Sequence, residues 1–395
     1  MKKILIMATN MNVGGVEKSL LSLLSEVPKG KYDITLYLLE KKGGFLDFIP
    51  SWIRVIEVDW YKKIKPIIMQ SPHQIVKNYY LNNEIKRIPG FISTYFISKK
   101  TDNRYFYYKH VFNQIPFNAD EFDIAISYQG PTDIIDYYIV KKVKAKKKIA
   151  WIHFDVAKHN INQKLYEKLH CNFNKIYVVS EEARKNLLEK FPNNKEKSEV
   201  FLNIISSNYI SEMAKERINF DKNYKGLKIV TVGRLSLEKG QDLAIKVLQK
   251  LKEEGYKVKW YCIGEGRDRG LFEGMIDKYD LKNDFILLGA KANPYPYIAA
   301  ADIYVQTSRH EGYCLSLAEA RSLNRPIVTT QFTGVSEQII NKYNGLISTF
   351  NEEEMYMKIK SLLDNNEKRN FLSKNLEGDN LDTISEINKL FNYID

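Results

Sequence analysis

Two glutamates, Glu311 and Glu319, with seven residues between them, punctuate residues 308–330, SRHEGYCLSLAEARSLNRPIVTT. The stretch reads as the end of a buried strand, a short polar loop, an amphipathic helix starting near Cys314, and a second buried strand. Leu315, Ala318 and Leu323 would form the apolar face of that helix, with Arg321 and Asn324 facing water. Glu311 then lies in the loop and Glu319 in the second helical turn. The two carboxylates would face one cleft from different depths, spaced to grip two sets of hydroxyls. The unpaired N–H groups around Cys314 and Leu315 can receive a phosphate.

Three further groups fall in loops after strands. Arg234 and Lys239 lie five residues apart in GRLSLEKG. A planar guanidinium fork and an ammonium point charge suit a diphosphate, although surface charge is the ordinary alternative. Gly264-Glu265-Gly266 can let a backbone approach a ligand closely. Residues 333–337, TGVSE, form another short loop leading into a helix.

The elements that must position these residues follow an α/β pattern. Residues 2–9, KKILIMAT, are a short apolar run suited to a strand buried on both faces. A loop with Gly14 and Gly15 follows, then helical spacing at Val16, Leu20, Leu21 and Leu24. NMNVGGVEKS lacks the G-x-G-x-x-G spacing, so tight turn and phosphate contact both stay open for Gly14 and Gly15. Strands are expected at 32–39, 54–58, 122–129, 149–154, 176–180 and 199–205. Ser180 should cap a helix over 181–190, and His153 lies near the carboxyl end of its strand. The lysine run at 141–148, KKVKAKKK, has the look of a solvated turn.

After polar, irregular residues 206–226, alternation restarts. Strands are expected at 227–232, 257–263, 285–288, 302–307 and 326–330, with helices between them. Residues 334–341 and 345–350 would complete the sheet, followed by helices to the end. Such alternation makes parallel sheets, whose ligands sit at the carboxyl ends of the strands.

A chain of 395 residues with 44% hydrophobic content can bury two cores. The expected division is a first domain at 1–205, a linker at 206–226, a second domain at 227–380, and a C-terminal helix at 381–395 crossing back. No run of about twenty apolar residues exists, so a membrane span is not expected. The apolar run at 4–8 is too short for a signal peptide. Cys171, Cys262 and Cys314 have neither paired nor metal-like spacing, which suits a reducing cytosol.

The formal charge of +12 is uneven. Residues 1–205 hold 33 Lys+Arg against 21 Asp+Glu, and residues 206–395 hold 27 of each. Within the basic half, residues 60–117 interleave bases with Trp60, Tyr61, Tyr79, Tyr80, Phe91, Tyr95, Phe96, Tyr105, Phe106, Tyr107, Tyr108 and Phe112. These could be helices packed on the first sheet with snorkelling lysines. They could equally be a surface for anionic lipid headgroups, and the charge asymmetry favours the lipid reading. No recognised nucleic-acid motif is present, so nucleic acid is not an expected partner.

GRLSLEKG, IGEGRDR and HEGYCLSLAEARSLNRPIV, in that order, resemble the retaining GT-B glycosyltransferases of family 4, the glycosyl transferases group 1. The similarity is strong over 227–345, moderate over the first 25 residues and 147–190, and poor over 60–120. It implies two Rossmann-like α/β domains facing across a cleft, the second binding a nucleotide sugar and the first an acceptor. Arg234 and Lys239 would neutralise the donor diphosphate. Glu311 would hold donor-sugar hydroxyls, Glu319 the ribose hydroxyls, and His153 the sugar near its reacting carbon. Gly15 would let the N-terminal loop close over the phosphates.

The resemblance further implies a hexose-type sugar, a UDP-sugar donor, and a glycan or lipid-linked glycan acceptor in bacterial surface polysaccharide synthesis. That would place the protein in the cytoplasm, peripheral at the inner face of the cell membrane. No D-x-D sequence occurs, and neither a metal nor another cofactor is expected. Asn203-Ile204-Ile205-Ser206 and Thr333-Gly334 depart from the family pattern, which usually has a Gly-Ile-Asp type turn and a glycine pair at these places. An epimerase or hydrolase on the same fold, or a non-catalytic GT-B subunit, are the alternatives.

Overall fold

The computed structural model describes residues 1–158, 161–221, 223–377 and 381–395. Contacts divide the chain into two compact units. The first comprises Met1–Asn12, Leu24–Phe201 and Ile394, and the second Val13–Leu23, Leu202–Tyr393 and Asp395. The expected boundary at 380 lies outside the described residues.

In the first unit, β1 (Lys2–Ala8), β2 (Tyr32–Leu38), β3 (Arg54–Glu57), β4 (Glu121–Gly130), β5 (Lys144–Ile152), β6 (Lys175–Val178) and β7 (Ser198–Val200) form one sheet. Its order is β3-β2-β1-β4-β5-β6-β7, with every pairing parallel. Helices α1 (Gly15–Ser25), α2 (Trp60–Met69), α3 (Pro72–Leu81), α4 (Ile88–Thr101), α5 (Arg104–Phe112), α6 (Asp133–Lys142), α7 (Gln163–His170) and α8 (Glu181–Lys190) fill the connections. Through Leu23, α1 belongs by its contacts to the second unit. The central strand β1 is buried from Ile4 to Ala8, as a strand covered on both faces must be. Ser180 caps α8 as expected, accepting from the Ala183 N–H at 3.2 Å.

The lysine run is a correction. Residues 144–148 are not a solvated turn but the first half of β5. They pair along β4, whose carboxylates face the lysines beside it: Lys144 reaches Glu121 at 3.2 Å and Lys146 reaches Asp123 at 2.7 Å. Lys148 donates to the Val140 carbonyl instead.

Aromatic residues of α2–α5 mostly pack inward. Tyr61, Tyr79, Phe91, Tyr108 and Phe112 are buried in one core with Tyr137 and Tyr138 of α6. Outside remain Tyr80, Leu81, Ile85, Ile92, Phe96, Ile97 and Phe106.

The second unit repeats the architecture. Its strands are β8 (Leu227–Val232), β9 (Val258–Ile263), β10 (Phe285–Leu287), β11 (Ile303–Gln306), β12 (Ile327–Thr330) and β13 (Leu346–Ser348). They pair in parallel in the order β10-β9-β8-β11-β12-β13. The helices are α9 (Ser207–Met213), α10 (Gln241–Glu253), α11 (Arg269–Lys278), α12 (Tyr295–Ala299), α13 (Leu315–Ser322), α14 (Glu352–Leu363), α15 (Asn366–Glu377) and α16 (Ile387–Ile394). Helix α9 stands in the stretch expected to be irregular. Ser206 starts it by accepting from the Tyr209 N–H, a cap that the polar composition concealed. Residues 334–341 contribute the 3₁₀ turn Val335–Glu337 and an isolated bridge from Asn341 to Gly345 rather than a full helix or strand.

Candidate functional site

The second domain gathers its candidate residues at the carboxyl ends of β8, β9 and β11. After β8, residues 233–240 form a loop pinned by its neighbours. Fully buried Leu235 donates its N–H to the Glu265 carbonyl at 3.1 Å and accepts from the Asp268 N–H at 3.2 Å. Gly240 closes the loop at φ +71°, where a Cβ would stand 1.9 Å from the Thr307 carbonyl oxygen. Glycine is therefore required there by both conformation and space. Gly264, at φ +154°, would put a Cβ 2.0 Å from the Gly233 carbonyl oxygen. The close approach it permits in this structure is between two loops.

This packing sets the two cations apart in environment. Arg234 is exposed, and its guanidinium has no ion-pair partner among the described residues. Lys239 turns inward and meets Glu311 at 2.6 Å, with side-chain exposures of 18% and 10%. Ser308 donates to the same Glu311 oxygen, Oε1, at 2.7 Å. The sequence did not single out Arg309, yet it fastens the two loops together. Its guanidinium forks onto Asp242 at 2.8 and 2.6 Å, and its N–H donates to the Glu238 carbonyl.

Helix α13 begins at Leu315 as expected, and no side chain caps it. The preceding Cys314 is held at φ +64°, an uncommon conformation for a residue with a side chain. Burial pushes its thiol up, so it stays protonated at neutral pH. The helix departs from its expected face. Leu317, Ala318, Glu319, Ala320 and Arg321 are buried, whereas Leu315, Leu323 and Asn324 are half-buried. The helix is enclosed by α9, α12 and α15, so Arg321 does not face water.

Glu319 is only 4% exposed. Its Oε1 accepts from Lys18 at 2.6 Å and from the Tyr295 hydroxyl at 3.3 Å, and the Lys18 ammonium also lies 4.3 Å from the Tyr295 ring centre. Lys18 belongs to residues 13–23, which pack with this domain. Lys18 lies in GGVEKSLLSL, a stretch that resembles the family's N-terminal loop but in which it carries no expected role, and Tyr295 lies in no motif. The two glutamates thus share one design: a lysine and a hydroxyl hold Oε1, and Oε2 has no hydrogen-bond partner among the described residues. A carboxylate held in this way offers a fixed acceptor.

The glycines expected to contact phosphate lie at the start of α1. Gly15 is its first residue, with open space where a Cβ would be, and a Cβ on Gly14 would meet only the flexible Glu17 carboxylate. Gln338 donates to the Tyr313 carbonyl, tying residues 331–341 to the loop before α13.

In the first domain His153 follows directly on β5. It is 8% exposed and donates its backbone N–H to the Gly130 carbonyl at 3.1 Å. Its ring lies parallel to Trp151 and 4.7 Å from the Tyr128 ring. Burial lowers its pKa to about 3, so the imidazole is neutral at ordinary pH. Its Nε2 has no partner among the described residues. Nearby Asp136, in α6, was missed by the sequence reading. Fully enclosed, it is pushed by burial up to about 7, although Ser127, the Thr132 N–H at 3.0 Å and the Tyr166 hydroxyl at 3.1 Å donate to it. Among the described residues no group of three His, Cys, Asp or Glu side chains could hold a metal ion.

Residues 212–378 match the family model described as glycosyl transferases group 1. An uncharacterized glycosyltransferase of Methanocaldococcus jannaschii is 26% identical over 175 residues, 43% of each chain. The N-acetylgalactosamine-N,N'-diacetylbacillosaminyl-diphospho-undecaprenol 4-alpha-N-acetylgalactosaminyltransferase of Campylobacter jejuni is 25% identical over 211 residues, 53% of this chain and 56% of that one. The matches therefore span about half the length of these relatives. Anabaena HepE, solved with UDP and glucose, superposes with a TM-score of 0.72 at 15% identity, covering 100% of this chain and 99% of that one. At that identity the likeness shows the fold, which is GT-B: two Rossmann-like α/β domains with parallel sheets.

Proposed function

We propose that this GT-B chain is a retaining, metal-independent glycosyltransferase of family 4. It moves a hexose-type sugar from a UDP-sugar to a glycan or lipid-linked glycan acceptor in bacterial surface polysaccharide synthesis. One observation carries the reading. At the strand ends of the second domain stand two glutamates, each with one oxygen gripped and one open, beside an exposed arginine and an uncapped helix start. Hydroxyl-rich ligands need fixed acceptors, and a diphosphate needs cations and free N–H groups.

In this reading Glu319 Oε2 takes the ribose hydroxyls and Glu311 Oε2 those of the sugar. Arg234 moves onto the diphosphate, and Lys239 follows it from Glu311. Both stabilise the charge that grows on the leaving diphosphate as the glycosidic bond breaks. The acceptor hydroxyl loses its proton toward the departing phosphate, on the face the sugar bond leaves, so the anomeric configuration is retained. His153 is neutral and its ring N–H is committed to the Tyr128 carbonyl, so its unspent Nε2 accepts a hydrogen bond from a sugar hydroxyl. No side chain is assigned as a nucleophile.

The acceptor end of the reading rests on α3 and α4. Tyr80, Leu81, Ile85, Ile92 and Phe96 are exposed there beside Lys86, Lys99 and Lys100. Apolar side chains ringed by lysines suit an anionic membrane surface. The undecaprenol in the Campylobacter relative's name fits a lipid-linked acceptor.

The test is calorimetric titration with UDP and a panel of UDP-sugars, followed by turnover with lipid-linked glycans in the presence of a chelator. Binding of UDP and transfer with the same anomeric configuration are expected. Arg234→Ala and Glu311→Ala should each lower turnover by about 100-fold or more. A wild-type protein that binds no nucleotide diphosphate would sink the proposal.

A further inference from the structure

Polar residues recur on one face of β11 and its continuation, in the centre of a sheet where apolar side chains would pack more cheaply. Tyr304, Gln306 and Ser308 alternate with Val305 and Thr307, so the three share a face. All three are fully buried. The Tyr304 hydroxyl donates to Gln306 Oε1 at 2.6 Å, Gln306 Nε2 donates to Ser308 Oγ at 2.7 Å, and Ser308 Oγ donates to Glu311 Oε1 at 2.7 Å. Ser316 adds a longer bond to Gln306 Oε1 at 3.4 Å.

The chain has a direction. Every hydrogen points toward Glu311, and each bond polarises the next. The opposite orientation of the Gln306 amide would draw the Ser308 proton back to Gln306 and leave none for Glu311. Thr330, in the neighbouring strand β12, donates to the Ser308 carbonyl at 2.5 Å and fixes the backbone from which the serine projects.

We propose that Gln306 and Ser308 are positioning residues that hold Glu311 in its sugar-binding posture while Lys239 is engaged by the ligand. The inference rests on the reading of Glu311 as a contact to sugar hydroxyls. In the structure Lys239 and Ser308 share one oxygen of Glu311. When Lys239 turns to the diphosphate, Ser308 is the donor that remains. Its only proton is committed to Glu311, and the amide of Gln306 keeps it so. Buried polar groups along β11 are thereby accounted for by a task at the strand's end.

The experiment uses the full chain, UDP, and whichever of UDP-glucose, UDP-galactose and UDP-N-acetylglucosamine raises the wild-type melting temperature most. Ser308→Ala should lower the ratio of UDP-sugar affinity to UDP affinity about tenfold, the scale of one hydrogen bond to a charged group. Gln306→Met, which keeps the volume and removes the donor, should lower it by a smaller factor. In a Glu311→Ala background, Ser308→Ala should change the ratio little, because residues acting through one group are non-additive. An unchanged ratio in Ser308→Ala, or the same tenfold loss in both backgrounds, overturns the relay. If the wild type binds no nucleotide, the functional reading fails instead, and a crystal structure of Ser308→Ala decides the relay. Glu311 displaced from its wild-type position supports it, and Glu311 unmoved overturns it.

Discussion

Lowering the pH from 7 to 5 sets three buried groups of the first domain against one another. His153 and His170 are both held near 3 by burial, against an ordinary value of 6.5. Their folded pKa values lie below the unfolded ones, so from about pH 6.5 downward the unfolded chain takes up protons that the folded chain refuses. Each histidine then costs about 2 kcal/mol of stability at pH 5 relative to pH 7, and the loss grows until about pH 3.

Asp136 works the other way. Its carboxyl is raised from 3.8 to about 7, so between those values the folded chain holds a proton that the unfolded chain has released. Stability contributed by that proton is lost as pH rises toward 7 and returns on acidification, by about 2 kcal/mol at pH 5. For these three groups the wild type should lose only about 2 kcal/mol between pH 7 and pH 5, whereas Asp136→Asn should lose about 4.

Denaturant unfolding at the two pH values measures this, followed by tryptophan fluorescence. Trp52, Trp60 and Trp151 lie in the first unit and only Trp260 in the second, so the signal reports mainly the domain concerned. With its amide oxygen in place of Oδ2, asparagine still accepts from the Thr132 N–H and the Tyr166 hydroxyl, and its NH2 in place of Oδ1 donates to the Ser127 hydroxyl oxygen. Equal pH dependence in wild type and Asp136→Asn would refute the reasoning, because Asp136 would then be ionised in the folded protein throughout.

Other consequences can be checked separately. Lys18→Met should destabilise the second domain by roughly 2–4 kcal/mol, because it strands the nearly buried Glu319 carboxylate, and adding Glu319→Gln should restore most of the loss in thermal melting. Gly240→Ala should cost about 2 kcal/mol or more in denaturant unfolding, since its Cβ would overlap the Thr307 carbonyl in a left-handed conformation. Ile92→Ser with Phe96→Ser should weaken cosedimentation with anionic liposomes about tenfold or more, on the scale of removing one exposed apolar side chain or two from a lipid surface. Unchanged binding would remove α4 from the membrane surface.

Much of this protein was legible in one dimension. Short apolar runs buried on both faces announce parallel strands, and their alternation with amphipathic helices announces the layers. The loop cations, the glutamate pair and the helix start at Leu315 could be placed because chemistry at strand ends depends on local spacing. Long-range pairing decided the rest. Residues 144–148 pair along β4, where Glu121 and Asp123 face Lys144 and Lys146 across the sheet. Arg321 is buried because three helices close over α13, and the pattern of a single helix does not say how many neighbours it will have.

Glu311 and Glu319 were visible as a pair. Lys239, Ser308, Lys18 and Tyr295, the groups that hold each of them by one oxygen, became visible as a set only when the chain folded. Sequence determines which acids can ionise and where along the chain they stand. Tertiary structure decides which of their oxygens is spent, because a hydrogen bond depends on distances between residues as far apart as 18 and 319.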